Sequence, residues 1–158
     1  MTNVHEAGAA DTGPRMVDVG GKDVTYRTAR ATCRVVMQPA TLRAVEEGRM
    51  PKGDVFATAR VAAIMAAKNT PSIVPLCHPL PVEHVAVEFE TEPEGVVHVT
   101  VTVSAHARTG VEMEALTACS AAALTVYDMC KMLERGMVIT DLRLLSKAGG
   151  KSGDFEAE

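Results

Sequence analysis

From Val97 to Ala105 every second residue is valine or alanine, and every residue between them is His, Thr or Ser. A period of two gives one apolar and one polar face, so this stretch can fold only as a half-buried strand. Just upstream, Val85, Val87 and Phe89 alternate with His84, Glu88 and Glu90, and Pro93-Glu94-Gly95 lies between the two runs. That arrangement predicts an antiparallel hairpin. A third alternation covers residues 28–37, with Ala29, Ala31, Cys33, Val35 and Met37 on one face, until Pro39 stops it.

Helical patterns fill the gaps. Thr41 to Glu47 predicts a short helix ending at Gly48, and Asp54 is placed to cap one running to about Lys68. Val55, Phe56, Ala59, Ala62, Ala63 and Met65 leave that second helix little polar surface, which predicts that it is largely buried, and Thr70-Pro71 ends it. A long helix is expected from Glu112 to Glu134 with Gly136 as its C-terminal cap, followed by a strand over 138–145. The order strand, helix, strand, strand, helix, strand predicts an α+β fold. It is the ferredoxin-like βαββαβ plan, an antiparallel sheet with the helices packed on one face. The Thr, Ser, His and Arg side chains of the other face predict that it is solvated or partly covered by another subunit.

The 158 residues suit one domain, read as residues 14–147. Residues 1–13, small and polar, read as a disordered tail, and residues 148–158 as a glycine-rich flexible one. A net charge of −4 excludes a general nucleic-acid binder, so any anionic ligand must be held by a local cluster of cations. The four cysteines form no C-x-x-C pair; Cys119 and Cys130 fall in an apolar helical pattern and read as buried reduced thiols. No run reaches the roughly 20 apolar residues of a membrane span, and the N-terminus lacks a signal core, so a cytoplasmic chain without a membrane partner is expected.

Three stretches carry chemistry. In Pro75-Leu76-Cys77-His78-Pro79-Leu80-Pro81 three prolines stiffen a loop that presents Cys77 and His78. His78 suits acid–base work or a hydrogen bond to phosphate. A Cys77–His78 nucleophile pair is disfavoured, because neighbours in an extended segment point apart. In Arg108-Thr109-Gly110-Val111-Glu112-Met113-Glu114-Ala115 two acids open the long helix, where its dipole favours them. Asp128 and Lys131 then share a helix face at i, i+3. Alone, that is an ordinary surface ion pair; with Leu124 on the same face, partial burial would make the lysine fit for acid–base work. Gly149-Gly150-Lys151-Ser152-Gly153 resembles a phosphate loop but lacks the earlier glycine (Leu145 stands there) and a following helix. Lys22, Arg27, Lys52 and Lys68 are scattered cations, and the five histidines lack metal-binding spacing, so no metal site is expected.

Taken together, Met16-Val17-Asp18-Val19, Leu76-Cys77-His78-Pro79-Leu80, Thr109 through Thr117, Tyr127-Asp128-Met129-Cys130-Lys131 and Gly136 through Gly153 resemble the MoaC family of cyclic pyranopterin monophosphate synthases. The likeness runs from Met16 to Phe155. Cys33 stands where a smaller residue such as glycine is expected, the first 13 residues have no counterpart, and Gly20-Gly21 loosens the N-terminal segment.

The resemblance implies a lyase of molybdenum cofactor biosynthesis. Its substrate would be 3′,8-cyclo-7,8-dihydroguanosine 5′-triphosphate, and its products cyclic pyranopterin monophosphate and pyrophosphate. It implies Asp128 and Lys131 as acid–base pair, Lys52 as second catalytic lysine, and Arg27, Lys68, His78, Lys147 and Lys151 on the phosphates. Cys77 belongs with the substrate-binding set. Glu112, Met113 and Glu114 would hold the base or orient lysines. It further implies a homohexamer built as a trimer of dimers, with sites at a dimer interface. No cofactor is required, though Mg²⁺ is compatible with the triphosphate or pyrophosphate. A radical SAM cyclase would act upstream and molybdopterin synthase downstream. Another reading is a non-catalytic nucleotide-binding module of the same fold that regulates a partner, but pure binding does not call for an acid–base pair. An RNA-binding sheet would need stacking aromatics that these strands lack.

Overall fold

A computed structural model describes residues 13–151 and 153–157. Most of the expected N-terminal tail, residues 1–12, lies outside the described residues, as do Ser152 and Glu158. The elements are β1 (Thr25–Val36), α1 (Pro39–Glu46), α2 (Val55–Lys68), α3 (Thr70–Ile73), β2 (His84–Glu92), β3 (Val96–Ala107), α4 (Glu112–Cys130), β4 (Val138–Ala148) and β5 (Phe155–Glu156). They form one sheet in the order β2-β3-β1-β4-β5, antiparallel throughout. With α2 and α4 on one face, this is the ferredoxin-like arrangement.

The alternation sets which face is covered. Ala29, Ala31, Cys33 and Val35 of β1, and Val97, Val99, Val101 and Val103 of β3, are buried beneath the helices. Burying each of those valines contributes about 1.5–3 kcal/mol. Small residues let the two helices approach each other. Ala59, Ala63 and Ala67 of α2 and Ala115, Ala118 and Ala122 of α4 are all buried. Cys33 fits the first strand because it meets another small polarizable side chain, Cys119 of α4, with the sulfurs 3.1 Å apart. Both thiols are free, as is the buried Cys130.

The hairpin turn depends on one glycine. Gly95 has φ +100° and is buried; its carbonyl accepts from the Met37 N–H at 2.8 Å. A Cβ there would run into the Met37 carbonyl. Gly95→Ala is therefore expected to destabilise the fold by about 1–3 kcal/mol, read as a lower urea midpoint at unchanged slope.

Three expectations need correction. Helix α2 is only half-buried: Val61 and Met65 face outward and are exposed, because the helix covers the sheet with one side alone. Helix α4 stops at Cys130 rather than Glu134. The Leu133 and Glu134 N–H groups both turn back to the Cys130 carbonyl. Gly136 does not cap it and has no left-handed φ. Instead Glu134 accepts from the Gln38 N–H at 2.9 Å, capping α1, and Tyr127 Oη donates to the Arg135 carbonyl. The predicted Asp54 cap of α2 is present, with Oδ1 accepting from the Ala57 N–H at 2.9 Å.

Candidate active site

The turn before α2 and the last turn of α4 bring three of the predicted residues together. Asp128 Oδ2 lies 2.6 Å from Lys52 Nζ and Oδ1 lies 2.6 Å from Lys131 Nζ, so one carboxylate bridges two ammonium groups. A carboxylate in the last turn of a helix opposes the helix dipole. The two lysines compensate for it: hydrogen bonds from Lys131 first, then Lys52, hold the Asp128 carboxyl down at about 2. All three side chains are about half exposed, so the partial burial that Leu124 suggested is not found in the single chain.

The other predicted residues sit at the opposite end of α4. From Glu112 to Asp128 the helix climbs roughly 24 Å at 1.5 Å per residue. Glu114 is almost wholly buried and accepts from Cys77 Sγ at 3.7 Å, while its Oε2 has no hydrogen-bond partner among the described residues. Burial raises the Glu114 carboxyl above its ordinary range. Burial, then the neighbouring Glu114 charge, pushes the Cys77 thiol up to about 11. His78 turns the other way, its Nε2 at 2.8 Å from the Val17 carbonyl oxygen. Cys77 and His78 therefore make no nucleophile pair. At pH 7.5 Cys77 should be alkylated by iodoacetamide roughly 100-fold more slowly than a thiol of ordinary pKa, since only the thiolate reacts. Glu114→Gln should speed that reaction by removing the neighbouring negative charge, which mass spectrometry of the adduct measures.

Beside Glu112 lies a cation-lined cavity of about 200 Å³, walled by the start of β1 and the end of β4. Arg27 is 9% exposed; its Nη1 donates to the Gly149 carbonyl at 2.9 Å and its Nε has no partner among the described residues. No carboxylate of the described residues pairs with this buried guanidinium, and Gly150 lies against it so closely that any Cβ would strike it. Lys147 meets Glu112 at 3.3 Å and Lys151 meets Asp23 at 3.9 Å. The cavity also holds Lys22 and Arg108. A second, mainly apolar cavity adjoins it, lined by Val19, Val24, Leu80, two prolines, His78 and His106, and sharing Arg108 and Thr109 with the first. The glycine-rich segment beyond β4 folds back along the sheet, with Phe155 opposite Lys147 and the Gly149 N–H bonded to Asp154.

The structure thus makes two groups of the predicted residues. Lys52, Asp128 and Lys131 form one. Arg27, Lys147, Lys151 and Glu112 line the basic cavity, with His78 in the adjoining one. Met113, Glu114 and Cys77 sit at the same end of α4 but line neither cavity, nor does Lys68, exposed at the end of α2. In the sequence Lys22 reads as a surface cation and Arg108 carries no role of its own. The available signal was that the β3 alternation runs out at Ala107, which leaves Arg108 at a strand end beside the phosphate-like segment.

The split βαβ sheet, the lysine-bridged aspartate and the basic cavity define an α+β protein of ferredoxin-like fold with cations clustered at one end of its long helix. The MoaC family model matches residues 16–150, and the chain belongs to that family. Among its relatives, a protein of Chloroflexus aggregans is 54% identical over all of this chain and 94% of its own length. One of Geotalea uraniireducens is 57% identical over 90% of each, and one of Streptomyces coelicolor 54% identical over 98% of this chain and 88% of its own length. All three are named cyclic pyranopterin monophosphate synthase.

Proposed function

We propose that this chain is a cyclic pyranopterin monophosphate synthase of molybdenum cofactor biosynthesis. It acts as a lyase on 3′,8-cyclo-7,8-dihydroguanosine 5′-triphosphate and releases pyrophosphate. Family membership and the relatives' names support the enzyme; the substrate and the residue roles are those the family resemblance implies, and the geometry of the site supports the roles. The observation that carries them is the Asp128 carboxylate held between Lys52 and Lys131, which supplies proton donors and an acceptor in fixed geometry. Rebuilding a guanine-derived ring as a pterin takes proton transfers, each accelerated about 10²–10⁴-fold by a positioned group. Expelling pyrophosphate takes cations, and Arg27, Lys147 and Lys151 supply them, with Glu112 orienting Lys147. The apolar cavity beside His78 takes the ring. Mg²⁺, where present, arrives with the triphosphate.

A single chain keeps the acid–base group and the phosphate group a helix length apart, so the proposed site is composite. Leu124 shares a face of α4 with Asp128 and is exposed, as are Val61 and Met65 on α2. A second copy packed on that surface about a two-fold axis sets one end of each α4 against the other end of its partner. Three such dimers joined through a second, different contact make the expected hexamer. Among the described residues no helix is long and apolar enough to cross a membrane, which suits the proposed cytoplasmic setting. The test is to incubate the purified chain with the cyclised triphosphate and measure pyrophosphate together with the fluorescent pterin formed on oxidation. Binding without pyrophosphate would leave only the regulatory-module reading.

A further inference from the structure

Arg108 follows the last residue of β3 and stands where the two cavities meet. Among the cations of the basic cavity, Lys147 and Lys151 face carboxylates and Arg27 donates to a carbonyl. Arg108 has no hydrogen bond or ion pair to any described residue, so its five donors are available to a ligand. A molecule with its ring in the apolar cavity and its phosphates in the basic one must cross the wall that Arg108 shares. The phosphate at the crossing is the one bonded to the ribose.

Resting on the function above, we propose that Arg108 is a catalytic residue that grips the α-phosphate and neutralises the charge that develops there. In the step it serves, a ribose hydroxyl oxygen bonds to the α-phosphorus. The bond from that phosphorus to the α–β bridging oxygen breaks, and its electron pair leaves with pyrophosphate. The hydroxyl proton passes to the Asp128 carboxylate of the Asp128–Lys131 pair that a second copy brings to the composite site, and no oxidant or other co-reactant enters. A guanidinium can reach two non-bridging oxygens at once through parallel N–H donors, which a lysine cannot do.

The test compares wild type, Arg108→Gln and Arg108→Lys in pyrophosphate release, alongside calorimetric binding of GTP, a triphosphate that carries no cyclised ring. Removing one charge-stabilising donor is worth about 10²–10³ in kcat. Arg108→Gln should therefore lose about 100-fold in kcat but less than tenfold in GTP affinity, and Arg108→Lys should recover part of the kcat loss. A kcat loss below tenfold, or an equal loss of GTP affinity, overturns the assignment while wild type still turns over. A wild type that releases no pyrophosphate overturns the functional reading and this inference with it.

Discussion

Lys131→Ala is expected to lower kcat for pyrophosphate and pterin formation about 10³-fold or more, while circular dichroism and the melting curve stay close to wild type. The side chain is half exposed and its one ion pair among the described residues is with Asp128, so its loss leaves no hole in the core. Asp128→Asn should be as damaging, because a neutral amide cannot hold two ammonium groups 2.6 Å away. The pH dependence follows from the depressed Asp128 carboxyl. Its folded pKa of about 2 lies below the ordinary 3.8, so its ion pairs contribute fully above the ordinary value and are lost as pH falls towards about 2. Between pH 5 and 9 the carboxylate stays ionised. Any acid limb of the rate profile in that window belongs to a group other than Asp128. Turnover by Lys131→Ala within tenfold of wild type would remove the acid–base mechanism.

Mixing two inactive variants should restore activity. Lys131→Ala lacks the acid–base half of the site, and Arg27→Gln lacks a phosphate ligand from the other half. If each site takes one half from each subunit, a mixed dimer holds one doubly damaged site and one intact site. Unfolding and refolding the two chains together at equal amounts makes half the dimers mixed, so about a quarter of wild-type activity should return. Sites complete within one chain would return none. The readout is pyrophosphate release against each variant refolded alone, with the mixed dimer purified by two different affinity tags.

Alternation made the sheet legible, because β1 and β3 bury one face with a strict period of two. The ends of α4 were less so. Its pattern continues through Met132 and Leu133, but in the single chain both are exposed and the Cys130 carbonyl ends the helix. Glu134 could not be read as a cap for α1 because it lies 96 positions from Gln38. The chemistry was legible where it was local: Asp128 and Lys131 share a helical turn. Lys52 came only from the resemblance, since nothing in its neighbourhood of sequence points to residue 128. Arg108 stayed silent for a similar reason. Its meaning arises where β3 ends beside β1 and β4, and no short pattern encodes that meeting.

The alanine contact between α2 and α4 acts as a spacer for the acid–base group. Lys52 enters from the chain leading into α2 and Asp128 from α4, so the methyl groups of Ala59, Ala63 and Ala67 set how far apart these two partners stand. Enlarging one of them would cost about 1–3 kcal/mol in strain and would also prise the lysine from its carboxylate. Residues that never meet a ligand thereby hold the tolerance of the reaction centre, and natural variation in turnover rate should track the bulk at these three positions.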